Sequence, residues 1–343
     1  MNQKTFAVVI GRWQINHLGH VQLQTAALQR ADEVIVFIGS SFRARDFSNP
    51  FTADEREAMI RASFSAGDQA RMHFVPIRDY GNDERWTRAI QDYVKAIAGD
   101  NKVIVVGHNK DESSYYLKLF PFWESYDFTD NFCNLDAVHL RTAYFSDEDL
   151  DMCVAVIQPF IPEKVASFLK VWGKLPYRKM VTDEHERVLA SKAKYNFPFS
   201  IAADSIVTVT EKGVRKVLLI QRGGEVGHGL WAVPGGFVNP DEKIFTGCLR
   251  ELQEETGIHL WPSDATRILK SEKVFDNPKR SLRGRIISHA FHFDLGDERL
   301  PEINAGDDAM SATWVNVSDL LKYLPLFFED HALILEYFLG NFD

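Results

Sequence analysis

In the first half of the chain, short apolar runs alternate with longer stretches in which apolar and polar residues recur at helical spacing. The runs at 5–10, 33–38, 71–76 and 102–106 are short and rich in Val and Ile, which predicts strands. The stretches at 19–30, 52–64 and 84–98 carry the period of amphipathic helices. Such β-then-α alternation predicts an α/β fold, a parallel sheet with helices on both faces. Ligands of such sheets sit beyond the carboxyl ends of the strands. Chemistry is therefore expected just after Ile10, Ile38, Pro76 and Val106.

The pattern changes at residues 173–200, which turn polar and charged with Pro176 and Pro198 near the two ends. This composition suits a connector, and helical spacing across 183–195 predicts that it is ordered in part. The expected division is a domain at 1–175, a connector at 176–200 and a domain at 201–343. In the latter, β-like runs at 201–209 and 216–222 precede one acidic helix. Further strands around 267–275, 285–294 and 312–317 and a closing helix complete an α+β pattern. The chain contains no internal repeat and no low-complexity segment.

Composition agrees with two folded cores, since 343 residues with 45% hydrophobic and 25% charged side chains match globular averages. The net charge of -9 argues against a broad nucleic-acid surface, although small anions need only a few local donors. No basic helix-turn-helix is present to read DNA. Cys133, Cys153 and Cys248 have no metal-like spacing and are expected to be reduced, buried thiols. The opening apolar run is five residues long and leads into a polar motif, unlike a signal peptide, and no run reaches membrane-spanning length. A cytoplasmic protein without a membrane partner is the expectation, and a homo-oligomer is compatible with it.

The acidic helix carries the most specific chemistry. From Gly236 the chain reads GFVNPDEKIFTGCLRELQEETGI, ending at Ile258. Glu251, Glu254 and Glu255 stand at i, i+3 and i+4, which on a helix gathers three carboxylates on one face. Hard divalent cations neutralise such a cluster, Mg²⁺ by default with Mn²⁺ as the alternative. Arg250 can steady a carboxylate through its planar fork. Gly236 and Gly257 mark the strand and helix ends.

This segment resembles the Nudix hydrolase signature at every fixed position. The resemblance implies Glu251, Glu254 and Glu255 as metal ligands and catalytic residues, with Arg250 and Glu242 in support. It implies cleavage of a diphosphate into two monophosphates by a metal-activated water. The base is left open, with acidic residues of 301–308 as candidates. The segments 230–238 and 274–288 resemble ADP-ribose-hydrolysing members, and the second brings Lys279, Arg280, Arg283 and Arg285 towards a diphosphate. A solvated basic loop is the alternative for each of them. ADP-ribose is the expected substrate, with other dinucleotides or sugar nucleotides behind it.

After the first strand the chain reads GRWQINHLGH, from Gly11 to His20. His17 and His20 stand where a helix begins, so both can face an anion at its positive end, and Arg12 adds a fixed charge. This stretch is similar to the HxGH signature of nucleotidyltransferases, in the form found in archaeal-type nicotinamide mononucleotide (NMN) adenylyltransferases. Gly39 and the pattern NPFTADER, from Asn49 to Arg56, continue the resemblance. Thr52 reads there as an N-cap, a structural role.

Asp79, Tyr80, Asn82 and Trp86 correspond to residues that hold the nicotinamide ring, with a core role open for Trp86. The stretch Gly107 to Tyr116 is similar to bacterial two-domain members. In the late phosphate motif Arg141 is present, but Val138 stands where a hydroxyl residue belongs.

Taken together, the chain resembles bifunctional NMN adenylyltransferase/Nudix hydrolases over almost its whole length. That implies a Rossmann-like nucleotidyltransferase domain followed by an α+β Nudix domain. The implied ligands are ATP, NMN, NAD and ADP-ribose, with His17, His20, Arg12 and Arg141 around the triphosphate. Two alternatives stay open. The Nudix half could be a non-catalytic ADP-ribose or NAD sensor, against which the intact carboxylate trio argues. The first domain could instead adenylylate or cytidylylate another phosphate acceptor.

Overall fold

The computed structural model describes residues 3–107, 112–128, 135–194, 199–297, 299–340 and 342. Residues 108–111 of the stretch after Gly107, Cys133, and the 195–198 end of the connector with Pro198 lie outside the described residues. The chain forms two compact units, 1–182 and 183–343.

In the first unit β1 (Thr5–Gly11), α1 (Leu18–Arg30), β2 (Glu33–Ile38), α2 (Ala53–Ala62), α3 (Ala66–Gln69), β3 (Met72–Pro76), α4 (Asp83–Ala98), β4 (Lys102–Gly107) and β5 (Glu124–Asp127) follow in order. The sheet order is β3-β2-β1-β4-β5, all parallel. Alternate residues of the strands supply two different cores because side chains alternate across a sheet. Ala7, Val9, Val34, Val36 and Ile38 pack with Ala27 and Leu28 of α1 and Ile60 of α2. Phe6, Val8, Ile35, Phe37 and Val75 pack with Ile90, Val94 and Ala98 of α4. The sheet is thus covered on both faces, as the alternation predicts.

A third cluster joins Ile15, Phe51 and Met59 to α5 (Ala137–Tyr144), α6 (Leu150–Ile157) and α7 (Glu163–Trp172). Thr52 caps α2 in a reciprocal box with Glu55: its hydroxyl accepts from the Glu55 amide at 3.3 Å, and the Glu55 carboxylate accepts from the Thr52 amide at 2.8 Å. α8 (Pro176–Lys194) turns the first nineteen residues of the expected connector into one helix.

The second unit has a seven-stranded mixed sheet. β6 (Ser200–Glu211), β7 (Val214–Arg222), β8 (Trp231–Ala232), β9 (Gly235–Phe237), β10 (Leu269–Phe275), β11 (Ile286–Asp297) and β12 (Ala309–Asn316) build it, with β11 and β6 parallel at its centre. α9 (Ile244–Thr256) covers one face through Cys248, Leu249 and Leu252, against Ala203, Val207 and Phe293. α10 (Pro262–Ile268) and α11 (Leu320–Tyr323) are short, and α12 (His331–Leu339) covers the other face through Ile334 and Leu335. Residues 267–268, read from the sequence as the start of a strand, instead end α10. Cys153 and Cys248 are buried free thiols. Among the described residues no helix is long and apolar enough to cross a membrane.

Candidate functional sites

In the first unit the loops after β1, β2 and β3 converge. β1 and β2 are neighbours up to the pair Gly11 and Ile38, and the Gly39 amide donates to the Gly11 carbonyl at 2.8 Å. A Cβ at Gly11 would lie 2.7 Å from the Trp13 ring, so glycine lets the chain fold tightly there. His17 is the N-cap of α1, and its Nδ1 accepts from the His20 amide at 3.3 Å. A neutral His17 ring therefore carries its proton on Nε2. The His17 and His20 rings stack at 3.6 Å, and Trp13 meets His20 edge-on at 4.9 Å. Arg12 is exposed.

Arg141 reaches this place from α5. Its guanidinium is buried and donates to the Gln14 carbonyl at 3.1 Å, while its Nε has no acceptor in the protein. Burial, aided by the Arg12 charge, pulls its pKa down to about 10. Val138, one turn earlier, is 44% exposed.

At the end of β3, Asp79 accepts from Ser40 Oγ at 2.9 Å and pairs with Arg43 at 3.3 Å, tying the second and third loops together. Asn82 caps α4 by accepting from the Arg85 amide at 3.0 Å. Trp86 is partly buried, its ring 6.0 Å from both Tyr116 and Phe120, so it packs with the core whatever else it does. Gly107 ends β4, where a Cβ would lie 2.4 Å from the Leu117 side chain.

Sequence reasoning assigned nothing to Arg56, which is fully buried and bonded to the Arg12 and Gly39 carbonyls. Its only sequence signal is its position in NPFTADER.

In the second unit α9 presents its carboxylates to β9. Arg250 is the hub: it donates to Glu242 at 2.6 and 3.1 Å, to Glu251 and Glu254 at 2.8 Å each, and to the Phe237 carbonyl at 3.1 Å. Four acceptor groups around one fork keep it firmly protonated, the Glu242 bonds first. Glu255 is buried, with one bond from the Gly235 amide at 2.8 Å, and burial pushes its pKa up to about 8. Glu251 is raised for the same reason. Gly236 leaves the space in which the Glu251 carboxylate lies. With Glu251 and Glu254 drawn to Arg250, no three His, Cys, Asp or Glu among the described residues stand at metal-holding positions.

The loop of candidate bases packs along the end of α9. The Asn304 amide donates to the Thr256 carbonyl at 2.8 Å and that of Gly306 to the Glu255 carbonyl at 3.3 Å, and Asp307 stands near enough to raise Glu251. The basic loop is more committed than its sequence suggests. Arg280 makes a two-point pair with Asp330 at 2.7 and 2.9 Å with its side chain 4% exposed. Arg283 pairs with Glu329 at 3.0 Å and lies over the rings of Phe237 and Phe328. Arg285 donates to the Asp276 carbonyl. Arg222, not singled out from sequence, lies 4.2 Å over Phe328, with Glu255 and Arg283 in electrostatic reach.

Comparison with known proteins places both units. The NUDIX domain family matches residues 199–338, and the cytidylyltransferase-like family matches residues 8–124. A nicotinamide/nicotinic acid mononucleotide adenylyltransferase of Acinetobacter baylyi is 41% identical over 49% of this chain and 86% of its own. An ADP-ribose pyrophosphatase of Methanocaldococcus jannaschii is 32% identical over 49% of this chain and 88% of its own. The crystal structure of a bifunctional NMN adenylyltransferase/ADP-ribose pyrophosphatase from Francisella tularensis, complexed with AMP and a manganese ion, is similar at TM-score 0.84 and 32% identity. That similarity covers 98% of each chain.

Proposed function

The chain belongs to the family of bifunctional NMN adenylyltransferase/ADP-ribose pyrophosphatases, and from that premise we propose how its residues divide two reactions. The first unit transfers the adenylyl group of ATP to NMN, giving NAD and pyrophosphate. The second hydrolyses ADP-ribose to AMP and ribose 5-phosphate.

In adenylyl transfer a 5′-phosphate oxygen of NMN attacks the α-phosphorus of ATP, and the bond to pyrophosphate breaks. Positioning and charge neutralisation do most of the work in such a displacement. Arg12, His17, His20 and Arg141 hold the triphosphate. His17 turns its ring to the start of α1 by capping it through Nδ1. Arg141 offers the Nε that has no protein acceptor. Gly11, Gly39 and Gly107, at or next to strand ends, let the backbone approach the nucleotide closely. Asn82 and Trp86 face the acceptor, with the Asn82 carbonyl oxygen spent on its helix and its amide left to donate.

In hydrolysis Glu251, Glu254 and Glu255 hold Mg²⁺ or Mn²⁺. The donor set fits a hard divalent ion, since Glu255 is a buried carboxylate held, among the described residues, by the Gly235 amide alone, and its burial makes ionisation costly without a bound cation. A divalent ion bound there supplies Lewis acidity towards the diphosphate and makes the attacking water more acidic. Arg250 and Glu242 fix the carboxylates, and of the acidic residues of 301–308 we take Asp307, whose charge acts on Glu251, as the base for the water. Arg280 and Arg283 shape the loop from which Arg285, the least committed of the three, meets the diphosphate.

The observation that carries this reading is that His17, His20 and Arg141 lie in one unit and the α9 carboxylates in the other. The test is a two-product assay on the full chain, NAD from ATP plus NMN and AMP from ADP-ribose. His20→Ala should abolish the first product and spare the second, and Glu254→Gln the reverse. A parent chain that forms no NAD would refute the first assignment, and one that leaves ADP-ribose intact the second.

A further inference from the structure

Arg56 projects from α2 beneath the loops that follow β1 and β2, and its side chain is wholly buried. Its Nη1 donates to the Arg12 carbonyl at 2.7 Å and the Gly39 carbonyl at 2.6 Å, its Nη2 to Ser41 Oγ at 3.3 Å, and its Nε to the Thr52 carbonyl at 3.1 Å. Among the described residues no carboxylate pairs with it. Asp79 and Glu55 act on it only through space, so every hydrogen bond of this buried cation goes to a neutral acceptor; burying a charge in this way is costly.

The two carbonyls have something in common. Each precedes a residue in the left-handed region, Trp13 at φ 51 and Ser40 at φ 49, which side chains other than glycine rarely adopt. In a trans peptide the carbonyl and the following N–H point in opposite directions. With the Arg12 and Gly39 carbonyls turned onto Arg56, the Trp13 and Ser40 amides point away from it. Among the described residues neither amide donates to a protein acceptor. The two strands that deliver them are neighbours, paired up to Gly11 and Ile38. Backbone N–H groups that turns leave without a protein acceptor can form a seat for an anion.

We propose that Arg56 is a positioning residue for adenylyl transfer, holding the Trp13 and Ser40 amides as a two-donor seat for phosphate oxygens of the nucleotide. It touches no substrate. It acts through the two peptide planes it turns, and this inference rests on the adenylyl-transfer reading above.

The test uses the full chain with Arg56→Lys, which keeps the charge but lacks the fork that reaches both carbonyls, alone and with Ser40→Gly. Glycine adopts a positive φ without strain, so the loop needs its anchor less. Arg56→Lys should lower kcat for NAD formation at least tenfold, and the loss should shrink at least threefold in the Ser40→Gly background. ADP-ribose hydrolysis by the same preparations should stay within twofold. NAD formation within twofold of the parent, or an equal loss in both backgrounds, overturns the proposal. Calorimetric titration with inorganic triphosphate gives a readout independent of catalysis, with affinity expected to fall at least tenfold in Arg56→Lys. An unchanged affinity counts against the amide seat, whereas a parent that binds triphosphate but forms no NAD counts against the reading beneath it.

Discussion

A Cβ at Gly236 would lie 2.6 Å from the carboxyl carbon and from both oxygens of Glu251. The strand residue and the helix residue therefore touch with only hydrogen between them. Contacts that close do not occur between a real Cβ and a carboxylate, so Gly236→Ala must displace the Glu251 head group or β9. Misplacing a reacting group by about 1 Å can cost on the order of a hundredfold in rate. We expect Gly236→Ala to lower kcat/KM for ADP-ribose by at least tenfold and to leave NAD formation untouched. Hydrolysis at the parent rate would mean that Glu251 can move without consequence.

Arg280 and Arg285 belong to one basic loop but should respond differently to truncation. Arg280 is paired at two points with Asp330, whose own pKa is raised by burial. Removing one member of a buried pair strands the other and costs about 3–5 kcal/mol. Arg280→Ala should therefore destabilise the second unit by that order in urea unfolding. Arg285→Ala should change stability by less than about 1 kcal/mol, as most partly exposed substitutions do, and should raise KM for ADP-ribose. Equal stability losses would remove the distinction drawn between them.

What was legible in the sequence was what is local. The strands at 5–10 and 33–38 reappear as Thr5–Gly11 and Glu33–Ile38, because a run of Val and Ile buried on both faces is a short-range signal. The Thr52 cap was equally plain, since its partner Glu55 is three residues away. β5 was missed because Glu124–Asp127 is polar and mostly exposed at the sheet edge, with no alternation to reveal it.

The partners of the basic loop were missed for another reason. Arg280 meets Asp330 and Arg283 meets Glu329, fifty and forty-six positions away. Nothing in the residues 279–285 separates a charge held for substrate from one held by a distant acid. The glutamates of α9 were readable because helical spacing alone puts them on one face. Their capture by Arg250 rather than mutual convergence depends on side-chain geometry.

Val138 tests the one departure from the nucleotidyltransferase pattern. It lies one turn before Arg141 on α5, 44% exposed, with its amide bonded to the Asp136 cap at 2.8 Å. A hydroxyl there would add one hydrogen bond to a charged phosphate, worth about 1.5 kcal/mol or more. Val138→Ser should lower KM for ATP roughly tenfold by that figure while leaving KM for NMN unchanged. A KM for ATP that does not move would show that this position no longer faces the triphosphate.

The second unit should also lose stability in mild acid through His292. Its Nε2 lies 2.9 Å from Thr208 Oγ1 in the buried sheet, and burial, with Arg215 adding to it, pulls the ring down to about 4. An unfolded chain takes up that proton near the ordinary value of about 6.5. The folded pKa is the lower one, so the neutral ring contributes its full stability above pH 6.5, and the contribution is lost as pH falls from there towards 4. Between pH 7 and pH 5 the loss is about 2 kcal/mol. His292→Gln retains a group able to bond Thr208 but does not titrate. Urea unfolding of the parent should therefore fall by about 2 kcal/mol more than that of the variant over this interval, and parallel pH profiles would show that another group governs the acid limb.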